Sequence, residues 1–150
     1  MMNTTKEQIS AYYDIWISTN SIYDKWAKKH NISSNSLFTL WVISNTPENC
    51  SQQEICEKLQ LPKQTVNAIL NSLENQGYIE RVACTTDKRS KNIVFTKNGL
   101  KYAETILNDL YQFEERAFQI MDKNDLSVMF AHYNNLLNNL KHMLESEDAP

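Results

Sequence analysis

The amino-acid sequence predicts a mainly α-helical protein with one small β-hairpin. Its 150 residues include only two glycines and three prolines, whereas average usage would give about ten and about seven. So few turn residues argue against an all-β fold and against nucleotide folds with glycine-rich phosphate loops. Several stretches instead repeat apolar residues every three or four positions, which is typical of amphipathic helices. The length fits one domain, so we expect a single protomer over residues 1–150.

The N-terminal part of the chain predicts two helices. The first covers about residues 6–29, with aromatic and apolar residues at helical spacing from Ile9 to Ala27. After a polar break, the segment from Leu37 to Ile43 is too apolar for a surface helix. We expect this second helix to lie in the core.

Two short helices follow, separated by a turn of a few residues around Pro62. Ser51 and Glu54 have the spacing of a capping box, which predicts a helix over about residues 52–59. The next helix, about residues 63–76, has an apolar stripe and a polar opposite face. Gly77 follows it, where a left-handed residue commonly ends a helix. The stripe consists of Val66, Ile69, Leu70 and Leu73.

A hairpin comes next in the chain. Residues 78–82 and 92–95 are short β-prone runs. Between them lies a polar, charged segment from Thr85 to Lys91. We therefore expect a two-stranded hairpin with a basic tip.

Two long helices complete the predicted fold. Apolar residues recur at three- and four-residue steps from Leu100 to Met121, after the candidate cap Thr96. The pattern repeats in a last helix that begins near Asp125. Such long apolar stripes stay uncovered in a protomer of this size, so we expect residues 1–30 and 97–146 to provide dimerisation helices of a homodimer.

Together, the two short helices and the hairpin form a winged helix-turn-helix pattern over residues 33–96. The major groove of DNA admits one α-helix, whose amide, hydroxyl and ammonium groups can reach bases and phosphates. The hairpin tip suits the minor groove, with Asp87 placed to hold the Arg89 guanidinium. The predicted DNA-binding residues are Lys63, Gln64, Thr65, Asn67, Asn71, Asp87, Lys88, Arg89 and Lys91.

The charge distribution supports a local DNA-binding face. The formal net charge of −3 argues at first against a nucleic-acid binder, because binding phosphates needs concentrated Lys and Arg. However, residues 58–101 carry a net charge of +5, against −2 for residues 1–57 and −6 for residues 102–150. A basic middle between acidic ends is consistent with DNA binding by the middle segment.

The sequence resembles the MarR family of winged-helix transcriptional regulators over almost its whole length. The matching segments are residues 61–67, residues 73–79, and the Asp87-Lys88-Arg89 motif followed by residues 95–99. The resemblance implies a homodimer that binds pseudo-palindromic double-stranded DNA operators, usually as a repressor. Many members of the family release DNA in response to a small phenolic or lipophilic effector, an oxidant or a metal, and the resemblance implies the same kind of response here. Ala68 departs from the family pattern, which often has a long polar residue there.

Two groups of residues are candidate effector sites. The first is an aromatic set that could line a ligand pocket between the dimerisation helices and the DNA-binding lobe, although aromatic residues at this spacing are also typical of plain core. It consists of Tyr13, Trp16, Trp26, Phe38 and Trp41. The second group is Cys50, Cys56 and Cys84, the basis of an alternative thiol-based redox response. Cys50 precedes a helix N-terminus, which would lower its pKa, but unreactive small residues are the simpler interpretation of all three cysteines.

Other classes of function lack support in the sequence. The three histidines are scattered without zinc-ligand spacing, so we expect no metal. No catalytic motif or phosphate loop is present, so we expect neither an enzyme nor a bound cofactor. The start of the chain does not have the pattern of a signal peptide, and no apolar run approaches membrane-spanning length. We expect a soluble, cytoplasmic protein with no membrane partner, and a protein-interaction module is the less favoured use of the same fold.

Overall fold

The computed structural model describes residues 4–46, 48, 50–83 and 91–147. Six helices and two strands lie in these ranges. In chain order they are α1 (Thr5–Lys29), α2 (Ser34–Asn45), α3 (Gln52–Leu59), α4 (Lys63–Asn75), β1 (Ile79–Ala83), β2 (Lys91–Phe95), α5 (Lys97–Gln119) and α6 (Lys123–Glu147). The predicted order of elements is confirmed.

The helices α1 and α2 begin with side-chain caps. Thr4 and Glu7 form a capping box at α1, and the Ser33 hydroxyl accepts the backbone N–H of Ser36 at α2. Most apolar residues of α2 are buried, as predicted, because this helix packs against α1, α3 and α4. Phe38 is half-buried, and 43% of the surface of Trp41 is exposed. The expectation that the whole apolar run lies in the core is therefore wrong for Trp41.

Helices α3 and α4 form the helix-turn-helix unit. The predicted capping box of Ser51 and Glu54 is present, and Gln60 ends α3 in the left-handed conformation. All four residues of the predicted α4 stripe are buried. Gly77 follows α4 with a φ of +74°, a conformation that glycine adopts without the steric cost that a Cβ atom brings.

The hairpin is joined to the start of α3. Strands β1 and β2 are antiparallel, with Ile79 opposite Phe95 and Ala83 opposite Lys91. The backbone N–H of Ile93 donates to the carbonyl oxygen of Cys50 at 2.7 Å. This hydrogen bond holds the middle of β2 beside the start of α3.

The chain divides into two compact units, residues 1–108 and residues 109–150. The core described above belongs to the first unit. In the second unit, Phe118 and Phe130 stack with ring centroids 6.2 Å apart, and no residue of α6 is buried. None of the described helices has the length and apolar content required to cross a membrane.

Candidate nucleic-acid interface

The polar face of α4 is open to solvent. Lys63, Gln64, Asn67 and Asn71 are exposed, and Thr65 is half-buried. The opposite face of the helix is packed into the core. The side-chain amide of Gln52 donates to the carbonyl oxygen of Lys63 at 3.2 Å, which ties the start of α4 to α3. The first turns of α4 are therefore held in place while their polar side chains stay available to a partner.

A cavity of about 540 Å³ lies beside the start of α4. Three of its lining residues are basic, and none of the described residues that line it is acidic. The basic residues come from three elements: Lys63 from α4, Arg81 from β1 and Lys91 from β2. Such a concentration of positive charge attracts phosphate groups. The remaining lining residues are Ser51, Gln52, Gln53, Cys56 and Ile93.

Arg81 joins the hairpin to the polar face of α4. Its guanidinium forms an ion pair with Glu74 of α4. Its Nη2 atom also donates to Oδ1 of Asn71 at 2.8 Å. No sequence pattern predicts this role of Arg81, because Glu74 and Asn71 are seven and ten positions away on a different element.

Only part of the predicted hairpin site lies within the described structure. Lys91 is the first residue of β2, is exposed and lines the cavity beside α4. Asp87, Lys88 and Arg89 lie outside the described residues. The minor-groove contact assigned to Arg89 therefore stays a prediction.

The five aromatic residues of the predicted ligand pocket differ in exposure. Trp26 is buried and stacks on His30, with ring centroids 3.7 Å apart. Phe38 contacts the ring of Tyr23 edge to face at 5.4 Å. The other three are about half exposed, namely Tyr13, Trp16 and Trp41. An aromatic ligand pocket built from these residues stays a prediction.

The cysteines differ in their environment. Cys50 is only 1% exposed. Burial, with a smaller contribution from the charge of Glu54, raises the pKa of the Cys50 thiol to about 11. The expectation of a lowered pKa at this position is wrong, because loss of hydration outweighs any effect of the following helix N-terminus. Cys56 is half-buried and lines the cavity, and Cys84 lies outside the described residues.

The chain is similar in sequence to known transcriptional regulators. A model of the MarR family matches residues 30–90. The regulator SarZ of Staphylococcus haemolyticus is 25% identical over 124 residues, which cover 83% of this chain and 78% of SarZ. PapX of Escherichia coli is 28% identical over 90 residues, which cover 59% of this chain and 52% of PapX. The match thus spans about half the length of PapX.

Solved structures share the fold. NMB1585, a MarR family regulator from Neisseria meningitidis, has a TM-score of 0.79 at 23% identity, with 97% of this chain and 100% of that chain covered. A complex of S. aureus MepR with DNA has a TM-score of 0.71 at 23% identity, with 87% and 96% covered. These similarities confirm the predicted winged-helix fold.

Proposed function

The chain is a member of the MarR family of winged-helix transcriptional regulators, and from this premise we propose that it binds a specific operator in double-stranded DNA. It is a regulator and not an enzyme. We further propose that it acts as a repressor in the cytoplasm, and that a homodimer binds a pseudo-palindromic site. In this proposal residues 33–96 form the DNA-binding lobe.

One observation carries the DNA-binding proposal. The exposed polar face of α4 begins directly beside a cavity lined by Lys63, Arg81 and Lys91. A helix in the major groove needs hydrogen-bonding side chains toward the bases and cations toward the flanking phosphates. Gln64 and Asn67 supply the first kind of group, and Lys63 and Lys91 supply the second, since Arg81 is paired with Glu74. The MepR–DNA complex is a relative in fold with DNA bound, which agrees with this use of the surface.

The dimer proposal is supported by exposed apolar side chains on two helices. On α1 they include Ile9, Ile15 and Ile17, and on α6 they continue from Val128 to Leu144. Large apolar areas on a soluble protein mark interaction surfaces. A second copy of the chain would cover identical surfaces through two-fold symmetry. The two copies of α4 would then contact successive major grooves about 34 Å apart.

We also propose that a small effector regulates DNA binding. Tyr13, Trp16 and Trp41 are each about half exposed in the protomer and offer apolar area to an aromatic or lipophilic molecule. An effector that binds more tightly to an arrangement of the dimer unable to bind DNA would release the DNA. The raised pKa of Cys50 disfavours that residue as the thiol of a redox response, because the thiolate is the reactive form.

The proposal is tested by selecting sequences from a pool of random duplex DNA with the purified protein. We expect a pseudo-palindromic consensus that binds tightly to wild-type protein. The variant Gln64→Ala should select an altered or weaker consensus, whereas Ser72→Ala, an exposed substitution on α4 outside the predicted contact set, should select the wild-type consensus. Selection of no sequence above background would contradict the proposal.

A further inference from the structure

The Asn71 side chain is exposed on the polar face of α4, but its amide oxygen already has a hydrogen-bond partner within the protein. Oδ1 accepts a hydrogen bond from Nη2 of Arg81 at 2.8 Å. The Arg81 side chain is only 17% exposed and is anchored by its ion pair with Glu74. Three side chains from α4 and β1 thus form one connected group at the surface that we propose to face DNA.

This contact determines what Asn71 can offer to a partner. An asparagine amide carries two N–H donors and one acceptor oxygen with two lone pairs, of which Arg81 occupies one. Because the amide is planar, an oxygen held against Arg81 directs the Nδ2 group away from it, toward solvent.

The held oxygen opposes one common mode of base recognition. An asparagine that reads adenine uses both ends of its amide, since the oxygen accepts from N6 and the nitrogen donates to N7. Asn71 could do this only if Oδ1 accepted from N6 and from the cationic Arg81 at once, or if it left Arg81. Its N–H groups suit a site that presents acceptors alone, as guanine does with N7 and O6 and as a phosphate does with its oxygens.

We propose that Arg81 is a positioning residue that makes Asn71 a hydrogen-bond donor, and not a reader of adenine, toward an acceptor on DNA. The inference rests on the proposed DNA-binding function. Lys63 and Lys91, which line the same cavity as Arg81, carry donors only. Like the N–H groups of Asn71, they suit acceptors on DNA.

Modified DNA tests the inference directly. The probes are duplexes of the sequence selected by the wild-type protein, in which single acceptors are removed: N7 by 7-deazaguanine or 7-deazaadenine, and a charged phosphate oxygen by a methylphosphonate. We expect one guanine or one phosphate per half-site whose modification weakens wild-type binding about tenfold, the usual size for a hydrogen bond to a charged or strongly polar acceptor. Which probe has this effect distinguishes the guanine from the phosphate.

The variants connect that acceptor to Asn71 and then to Arg81. Asn71→Ala should bind the unmodified duplex about tenfold more weakly and lose its sensitivity to the modification. Asn71→Asp, which keeps an oxygen for Arg81 but has no N–H group, should behave in the same way. Arg81→Met should also lose the sensitivity although Asn71 is still present, and Arg81→Lys should restore part of it.

Different outcomes overturn different claims. If Arg81→Met weakens binding to all duplexes equally and keeps the sensitivity, Arg81 only supports the fold and the inference is wrong. An effect of 7-deazaadenine at the Asn71 contact, or wild-type affinity in Asn71→Ala, would also overturn it while leaving DNA binding intact. If the wild-type protein selects no duplex, the proposed function is contradicted, and the inference that rests on it is contradicted too. Should circular dichroism show that Arg81→Met is unfolded, Glu74→Gln, which removes only the anchor of Arg81, provides the same comparison.

Discussion

A Cβ atom on Gly99 would lie 1.6 Å from the carbonyl oxygen of Tyr78. The first turn of α5 thus lies directly against the backbone at the start of the hairpin. Thr96 secures the same junction, because its hydroxyl donates to the carbonyl oxygen of Gly77 at 2.6 Å and accepts the N–H of Gly99 at 3.0 Å. Tyr78 and Tyr102 stack beside it, with ring centroids 4.3 Å apart. The position of the hairpin relative to the start of α5 therefore depends on the absence of a side chain at residue 99.

The first prediction concerns this junction. Gly99→Ala should lower the free energy of unfolding by about 3 kcal/mol, because the added methyl group meets rigid backbone that must shift. Gly77→Ala is the matched control. It meets no atom within 4 Å but has a φ of +74°, so it should cost only about 1–2 kcal/mol through torsional strain. Urea denaturation of the wild-type protein and the two variants measures both values. Equal destabilisation by the two substitutions would contradict the claim that the close contact with Tyr78 makes Gly99→Ala the more costly.

The second prediction concerns Cys50. Its raised pKa means that the folded protein keeps this thiol protonated at pH values where the unfolded chain loses the proton. The unfolded state then binds fewer protons, so stability should fall as the pH rises from 9.0, the ordinary pKa of the thiol, toward about 11. Cys50→Ala should remove this component of the pH dependence, measured by urea denaturation across that range.

Alkylation provides an independent check on the same residue. In the folded protein, iodoacetamide should modify the half-buried Cys56 before the buried Cys50. Both should react once urea has unfolded the chain. Rapid modification of Cys50 in the folded protein at neutral pH would contradict the described burial.

The third prediction separates base recognition from phosphate binding on α4. Gln64→Ala or Asn67→Ala should change base preference within the selected operator by about 1–3 kcal/mol at the contacted pair, with little change in the salt dependence of binding. Competition between operator variants with single base-pair changes measures the preference. Uniform weakening on every sequence would instead assign these residues to the DNA backbone.

The fourth prediction concerns Arg89, which lies outside the described residues. Arg89→Ala should weaken operator binding several-fold or more in a gel-shift assay while the protein stays folded, because a narrow minor groove attracts a guanidinium. Arg89→Lys keeps the positive charge but lacks the planar guanidinium, so it should bind more tightly than Arg89→Ala and more weakly than the wild-type protein. Unchanged binding by Arg89→Ala would remove the residue from the proposed interface.

Local patterns in the sequence were sufficient to predict the elements of the fold. The apolar stripe of α4 from Val66 to Leu73 and the capping box at Ser51 depend on residues within one or two helical turns of each other. Each is found as predicted. Gly77 likewise has the expected left-handed conformation. Features of this kind are visible in sequence because helical geometry brings nearby positions together.

Contacts between distant segments could not be predicted in the same way. The hydrogen bond from Arg81 to Asn71 exists only once β1 packs beside α4. The burial of Cys50 and the close approach of Gly99 to Tyr78 are also products of packing between elements. In the case of Cys50, its place before a helix suggested a lowered pKa, whereas burial raises the pKa to about 11.

The salt dependence of operator binding tests the central claim most directly. For a dimer that uses basic residues on phosphates, the association constant should fall about a thousandfold or more between about 50 and about 200 mM salt. Lys63→Ala or Lys91→Ala should reduce the log–log slope by about 1 for each phosphate that is no longer neutralised, hence by about 2 in the dimer. The matched control Lys123→Ala, an exposed lysine in the acidic segment 102–150, should keep the wild-type slope. A slope near zero in the wild-type protein, or equal slopes in all four proteins, would contradict the assignment of this surface to DNA.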